Sequence, residues 1–347
     1  MQRPKIAFTM GDIAGVGPEV VARVCADAEV LAWCQPIVVG HPEFLTRAFQ
    51  LIGKSDRCVS EVQSLGQVDP NSDSIHCLNP SGDEVLIVAP GELDARSGQA
   101  AYDCLVSAIQ ASLVGDIDAI CTAPLNKKAL RLAGLNYPGH TEILAEECGV
   151  NDFAMMLYLP PGEKIQSPFG LGVAHVTLHT SIASVPGLLS TEAISEKIGL
   201  ISGFLSKIGC AAPRVAVCAL NPHAGELGLF GDEEATLIEP AVLQSKASGI
   251  DVTGPLPADT LFHRAVCGEF DGVVAMYHDQ GHIALKLLGF ETAVNVTLGL
   301  PIVRTSPSHG TAFDIAWQGS ADATGMKQAV RVAALLAQGE RTANLSN

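Results

Sequence analysis

Short apolar runs alternate along this chain with stretches in which apolar side chains return every three or four positions. Lys5 to Thr9 is such a run, followed by a loop containing Gly11, Gly15 and Gly17. Pro18 then suits a helix start, and Val20, Val21 and Val24 supply one apolar helical face. Residues 36–40 and 42–52 repeat strand and helix. Further strands are predicted near 74–78, 85–88, 119–123, 153–159, 173–180, 214–220, 271–277, 294–298 and 302–305. Helical spacing recurs at 97–113, 125–132, 189–208, 311–317 and 325–337, and at 233–246, where Pro240 weakens it. Pro160, Pro161 and Gly162 read as a turn, with 153–159 and 173–180 as a hairpin, and Gly254–Pro255 reads as a second turn. Strand–helix alternation of this kind predicts an α/β fold with a largely parallel sheet.

The 347-residue length corresponds to about two domains. Lys and Arg number 21 against 37 for Asp and Glu, a net charge of −16. That balance argues against a nucleic-acid partner, since affinity for the phosphate backbone comes from cations. It leaves room for a phosphorylated small molecule, which a few local cations can hold. No apolar run reaches 18 residues, so no membrane span is expected. The chain enters its first strand at Lys5 without a signal-peptide pattern, and the ten cysteines form no CxxC pair. A cytoplasmic protein with reduced, mostly buried thiols is the expectation.

Several histidines sit at the ends of predicted strands, where open α/β sheets place their ligands. Residues 173–180 carry His175 and His179, residues 214–220 lead into Asn221-Pro222-His223, and residues 271–277 lead into His278-Asp-Gln-Gly-His282. Three neutral imidazoles would suit Zn²⁺, Co²⁺, Ni²⁺ or Mn²⁺, with Mg²⁺ favoured if the substrate adds oxygen ligands. Equally, each imidazole can simply cap a strand or bond to backbone. On a continuous strand His175 and His179 would share a face about 13 Å apart, too far to share an ion. His282 reads as an ordinary surface residue of the following helix, and His41, His76, His263 and His309 have weaker context. Glu226 is a candidate acceptor for orienting a ligating histidine, although Asn221 to Gly231 also has the composition of an ordinary turn.

Two further places suit an anion. His140 and Thr141 precede apolar helical residues, so they can offer donors near a helix N-terminus, or Thr141 can merely cap it. Lys286, Asn295 and Arg304 add cationic and amide donors, unless they belong to a solvated surface. The glycines of the first loop fit neither GxGxxG nor GxxxxGK[ST]; they either cradle a phosphate or make the strand–helix turn.

These motifs, taken in order, carry a resemblance. TMGDIAGVGPE, YPGHTE at 137–142, LNPHAGE at 220–226, GPLPADTLF at 254–262, YHDQG at 277–281 and NVTLGLPIVRTSPSHGTAFD at 295–314 resemble the 4-hydroxythreonine-4-phosphate dehydrogenase family over nearly the whole chain. The resemblance implies the isocitrate/isopropylmalate dehydrogenase fold: two α/β domains with an interdomain cleft. Residues 1–135 and 300–347 would form a discontinuous first domain, and 136–299 a second with metal-binding and dimerisation elements. It implies a homodimer with shared active sites. His179, His223 and His278 would be the metal ligands, with His278 reaching across to the partner subunit. His140, Thr141, Asp259, Lys286, Asn295 and Arg304 would bind substrate, Lys286 and Asp259 also being candidates for proton transfer. The region around Gly299 and Gly310 would bind NAD.

The implied reaction is NAD-dependent oxidative decarboxylation of 4-phosphohydroxy-L-threonine to 3-amino-2-oxopropyl phosphate, assisted by a divalent Zn, Mg or Co ion. TAPLNKKAL and YPGHTEILAE also look close to a branch acting on 4-phospho-D-threonate or 4-phospho-D-erythronate, with dihydroxyacetone phosphate as product. Asn126 stands where the vitamin-pathway enzymes typically carry His. A metal-dependent aldolase or hydrolase and a phosphometabolite-binding regulator are the readings from other classes.

Overall fold

A computed structural model describes residues 3–69, 72–151 and 153–346, with side chains to residue 341. The chain divides into two compact units, Met1–Asn151 with Leu300–Asn347, and Asp152–Gly299.

The first unit is built on parallel strands: β1 (Lys5–Thr9), β2 (Gln35–Val39), β3 (Val59–Val62), β4 (Ile75–Leu78), β5 (Ala119–Thr122) and, from the far end of the chain, β12 (Arg304–Pro307). Their spatial order is β3-β4-β2-β1-β5-β12. β1, β2 and β5 are buried along almost their whole length, as apolar runs covered on both faces must be, and the polar β12 is buried as well. The Ala95–Leu113 helix starts at Asp94, whose carboxylate accepts from the Arg96 N–H at 2.8 Å. Its Cys104, Leu105, Ala108 and Ile109 meet Ile37, Ile120 and Leu130 in one core. That core also takes Ile143 and Leu144 of the His140–Cys148 helix. Residues 136–151, expected in the second domain, therefore group with the first unit, because their apolar side chains pack there.

In the second unit β6 (Ala154–Leu159) and β7 (Leu171–His175) pair antiparallel, and β11 (Val294–Leu298) adds antiparallel to β6. β10 (Gly272–Ala275) joins β7 in parallel, followed by β8 (Val215–Cys218) and β9 (Val252–Leu256). Ser190 caps the Thr191–Lys207 helix by accepting from the Ala193 N–H at 3.1 Å. Ile194, Ile198, Ile201 and Leu205 then form its buried stripe. At the foot of β10, the buried Asp271 carboxylate takes a bidentate Arg214 at 2.9 and 3.0 Å and the Ser167 hydroxyl at 2.7 Å. Burial raises the Asp271 pKa, but the Arg214 and Ser167 hydrogen bonds outweigh it and hold the carboxyl below its usual range.

Several expectations change. Residues 85–87 belong to a short 3₁₀ turn, Asp83–Ile87, of which only Val85 is buried, and Val88 ends it. Gly254–Pro255 lies inside β9 as a cis peptide; β9 is an edge strand, where a missing N–H is tolerated. Residues 311–317 do not form a helix. Ala312 and Trp317 take positive φ, the Thr311 carbonyl accepts from Val16 N, and the Trp317 indole donates to the Ile13 carbonyl. The segment is shaped by its contacts with the first loop, which override its helical spacing. Those contacts also settle the loop glycines. A side chain at Gly11 would lie 2.3 Å from the Pro124 carbonyl, and one at Gly15 would lie 2.7 Å from that of Thr311. They allow close packing, and no phosphate cradle opens there.

Candidate active site

In the first unit, β12 runs beside β5 with Arg304 opposite Ile120. This register places the Arg304 guanidinium near the end of β5, where Nη2 donates to the Thr122 hydroxyl at 2.7 Å. Arg304 is 5 % exposed. Desolvation lowers its pKa to about 10, against a smaller opposing effect of Cys121 and Glu142. It stays a cation at neutral pH, buried and stripped of water.

His140 is the first residue of the helix after YPG, and Gly139 at the N-cap supplies no side-chain acceptor. The first-turn N–H groups therefore remain available. Burial, then the Arg304 and Lys127 charges, push the His140 pKa well below its ordinary value, so the ring is neutral at pH 7. Thr141, half-buried in the first turn, makes no cap hydrogen bond, which removes the capping role as its explanation. A desolvated guanidinium, a neutral imidazole and a helix N-terminus together suit a phosphate or carboxylate. Thr122 and Lys127 belong to this group but went unnoticed in the sequence; the available signal was a Thr ending an apolar strand directly before Ala-Pro.

In the second unit β7 ends at His175, and the chain turns away before His179. The extended-strand spacing therefore does not hold between them. β10 ends at Ala275, and the His278–Gly289 helix begins with Tyr277 as N-cap. The result is a cluster of imidazoles. His179 and His278 have ring centroids 5.6 Å apart, and His278 stacks on His282 at 3.8 Å with 13° between planes. His282, expected at the surface, is instead buried, with its Nδ1 3.1 Å from His175 Nε2. His179, Tyr277, His278 and Asp279 line a cavity of about 390 Å³ with residues 180–182.

His223 lies elsewhere, exposed on a turn whose residues His223 to Leu227 all have positive φ. Left-handed backbone costs roughly 1–2 kcal/mol per non-glycine residue. The turn is held by the buried Glu234, whose carboxylate accepts from the Leu220 and Asn221 N–H groups at 2.9 and 2.7 Å and from Asn221 Nδ2 at 3.0 Å. Glu226, the candidate for orienting a ligating histidine, is exposed. Lys286 lies two turns beyond His278 on one helical face, with Nζ 5.6 Å from the Phe290 ring centroid. Asp259 is exposed in the first turn of the Ala258–Val266 helix, and Asn295 is half-buried on β11. Gly299 (φ +87°) and Gly310 are exposed, and a side chain at Gly310 would meet nothing within 4 Å.

The donor chemistry suits part of a metal centre. Asp279 Oδ1 is 2.7 Å from His278 Nδ1; as acceptor it fixes the proton there and leaves Nε2 as a lone-pair donor. Among the described residues, however, no three His, Cys, Asp or Glu side chains are grouped to hold an ion. His179 and His278 stand together, and the expected set with His223 is not assembled within one chain. Two larger cavities of about 690 Å³ lie in the first unit. In one of them Lys327 is engaged by Asp27 and Glu29, and Arg23 by the Gly319 carbonyl. Among the described residues no helix is long and apolar enough to cross a membrane.

Comparison with known proteins identifies the family. Residues 32–333 match the family described as pyridoxal phosphate biosynthetic protein PdxA. D-threonate 4-phosphate dehydrogenase of Salmonella typhimurium is 42% identical, covering 97% of this chain and 100% of its own. 4-Hydroxythreonine-4-phosphate dehydrogenase of Geobacter metallireducens is 44% identical, covering 97% and 96%. The crystal structure of a 4-hydroxythreonine-4-phosphate dehydrogenase from Klebsiella pneumoniae superposes with a TM-score of 0.83 at 43% identity, over 96% of this chain and 100% of that one. The shared α/β fold and this degree of identity make the protein a dehydrogenase. More narrowly, the chain belongs to the pyridoxal phosphate biosynthetic protein PdxA family.

Proposed function

We propose that the protein catalyses NAD-dependent oxidative decarboxylation of a phosphorylated four-carbon 3-hydroxy acid, assisted by a divalent cation. The observation that carries this is the buried Arg304 beside Thr122 and the neutral His140. A guanidinium held so far from water gains most from a compact dianion, which replaces its lost hydration with charge-assisted hydrogen bonds. The phosphate is bound here, with Thr141 and first-turn N–H groups as further donors. Asn295 and Asp259 belong to substrate recognition in this reading.

His179 and His278 are the residues that would hold the ion, with His223 as third ligand and one imidazole supplied by a second copy of the chain. A bound divalent ion supplies Lewis acidity at the carboxylate and C3 oxygens. Support for a dimer comes from the His278–Gly289 helix, which exposes Ile283, Leu287 and Phe290 along one stripe. The exposed Gly299 and Gly310 are the positions that would receive NAD, which when bound would supply the hydride acceptor for C3. Lys286 takes the hydroxyl proton and returns a proton to carbon after the bond to CO₂ has broken, leaving its electron pair on C2. The isocitrate/isopropylmalate dehydrogenase fold type and a cytoplasmic location complete this reading, on the motif resemblance and the absence of long apolar runs respectively.

Two substrates fit equally well at the phosphate, carboxylate and C3 ends. 4-Phosphohydroxy-L-threonine carries an ammonium at C2. 4-Phospho-D-threonate carries a hydroxyl there, and the 42% identical Salmonella relative favours it as a second reading. Asn126, at the position that prompted the question, caps the Lys127–Leu132 helix through Oδ1 at 2.9 Å. The test is a paired assay of purified protein with NAD and Mg²⁺, Zn²⁺ or Co²⁺, offering each acid and 4-phospho-D-erythronate and measuring NADH and CO₂. Equal yields of both products from at least one acid are expected. NADH without CO₂, or no turnover of any of them, refutes the reaction. His278→Ala should abolish both products and Co²⁺ binding.

A further inference from the structure

The buried histidines beneath His278 have no part in the reaction as proposed. His175 is 1 % exposed and His282 8 %. Burying an imidazole forfeits its hydration, so two of them on one spot need compensating hydrogen bonds. Here the bonds form a chain with a fixed direction. His175 Nδ1 is 3.3 Å from the Met155 carbonyl on β6, and a carbonyl only accepts, so Nδ1 carries the proton. In a neutral ring Nε2 of His175 is then an acceptor, and His282 Nδ1, 3.1 Å away, must donate to it. One direction of donation, and one tautomer for each ring, satisfies both contacts.

The backbone is cut to fit this pair. A side chain at Gly281 would start 2.5 Å from His175 Nε2, so the glycine between His278 and His282 is what lets the helix settle on His175. His282 then lies flat against the His278 ring. Asp279 ties only one atom of that ring; its plane is set by the ring beneath.

We propose that His175 and His282 are positioning residues: a hydrogen-bonded imidazole pair, anchored on the Met155 carbonyl, that sets the plane of the His278 ring, while Asp279 fixes its tautomer. This rests on the assignment of His278 as a ligand. Two leucines would fill the same space but could not hold a flat ring against His278.

The test uses full-length protein labelled with ¹⁵N-histidine and long-range ¹H–¹⁵N spectra at pH 7. The wild type should show the Nδ1–H tautomer at both His175 and His282; an Nε2–H tautomer or an imidazolium at either overturns the proposal. A His175→Leu, His282→Leu double variant should melt no lower than wild type. It should bind Co²⁺ about 10- to 100-fold more weakly and lower kcat more than it raises KM for the phosphorylated acid. His175→Gln, whose Oε1 can accept in place of Nε2, should restore Co²⁺ affinity to within about threefold of wild type. Unchanged Co²⁺ affinity in the double-leucine variant overturns the proposal. Unchanged Co²⁺ affinity in His278→Ala instead overturns the ligand assignment, and the tautomer spectra still decide whether the pair is built as described.

Discussion

The two units bury polar groups in opposite ways. The first buries a charge, Arg304, and keeps it ionised with Thr122 as its hydroxyl partner. The second buries imidazoles and keeps them neutral, satisfying His175 and His282 through each other and the Met155 carbonyl. The second unit also has a buried charge, Asp271, but this one is closed off by Arg214 and Ser167. Asp271 is matched within its own unit by a cation and a hydroxyl, whereas Arg304 is the group to which the proposed function assigns the phosphate, although each is an ion at the end of a strand.

The sharpest break in this comparison is Arg304→Met. Losing a charge-assisted contact to phosphate should raise KM by about 100-fold, on the order of 3 kcal/mol. Without ligand, the variant should melt at or above the wild-type temperature, because a desolvated charge has been removed. Melting curves with and without inorganic phosphate separate the two effects. Stabilisation of the variant by phosphate as large as in wild type would place the anion elsewhere.

Asp271→Asn should do the reverse. Losing the ionic character of the Arg214 and Ser167 bonds costs about 2 kcal/mol of stability and leaves KM unchanged, measured by urea unfolding beside steady-state kinetics. The sign with pH follows from its lowered pKa. The contribution is complete above the unfolded carboxyl value near 4 and is lost as pH falls through the native value. A wild-type acid limb that persists undiminished in Asp271→Asn would mean that another carboxylate dominates. Gly281→Ala is a smaller perturbation. Its new methyl would press on His175, costing roughly 1–3 kcal/mol, and should disturb the His175 and His282 signals while leaving phosphate binding intact.

Much of the scaffold was legible because it obeys one rule. β1, β5 and β11 are apolar runs with little competition from tertiary contacts, and all three lie within a residue of where periodicity puts them. The failures have tertiary causes. Residues 311–317 have helical spacing, yet the first loop bends them through Ala312 and Trp317. Residues 173–180 look like one strand, but the chain leaves the sheet at His175, and that turn brings His179 beside His278. Strand-end histidines announced a polar centre, and HDQGH placed two of them one helical turn apart. Nothing local shows that His282 would be buried, since this depends on His175 from another strand. The same holds for Glu234, which reaches back to Leu220 and Asn221 from beyond the turn it stabilises.

The finest distinction between the units is the state of His140, an imidazole placed beside a cation rather than beside other imidazoles. Burial comes first and the Arg304 and Lys127 charges follow, all acting to lower its pKa. In the unfolded chain it takes up a proton near pH 6.5, whereas the native ring stays neutral well below that. The unfolded state then holds more protons, so stability falls as pH drops from about 6.5. His140→Gln should remove that part of the decline, a change below about 1 kcal/mol between pH 6.5 and 5.5. The same neutrality governs the ligand. Sulfate keeps a constant charge across this range, so its stabilisation of the protein should stay level from pH 8 to pH 6. Binding that strengthens toward pH 6 in wild type but not in His140→Gln would mean that the ring charges when the anion arrives, and that the two units differ less in principle than in partner.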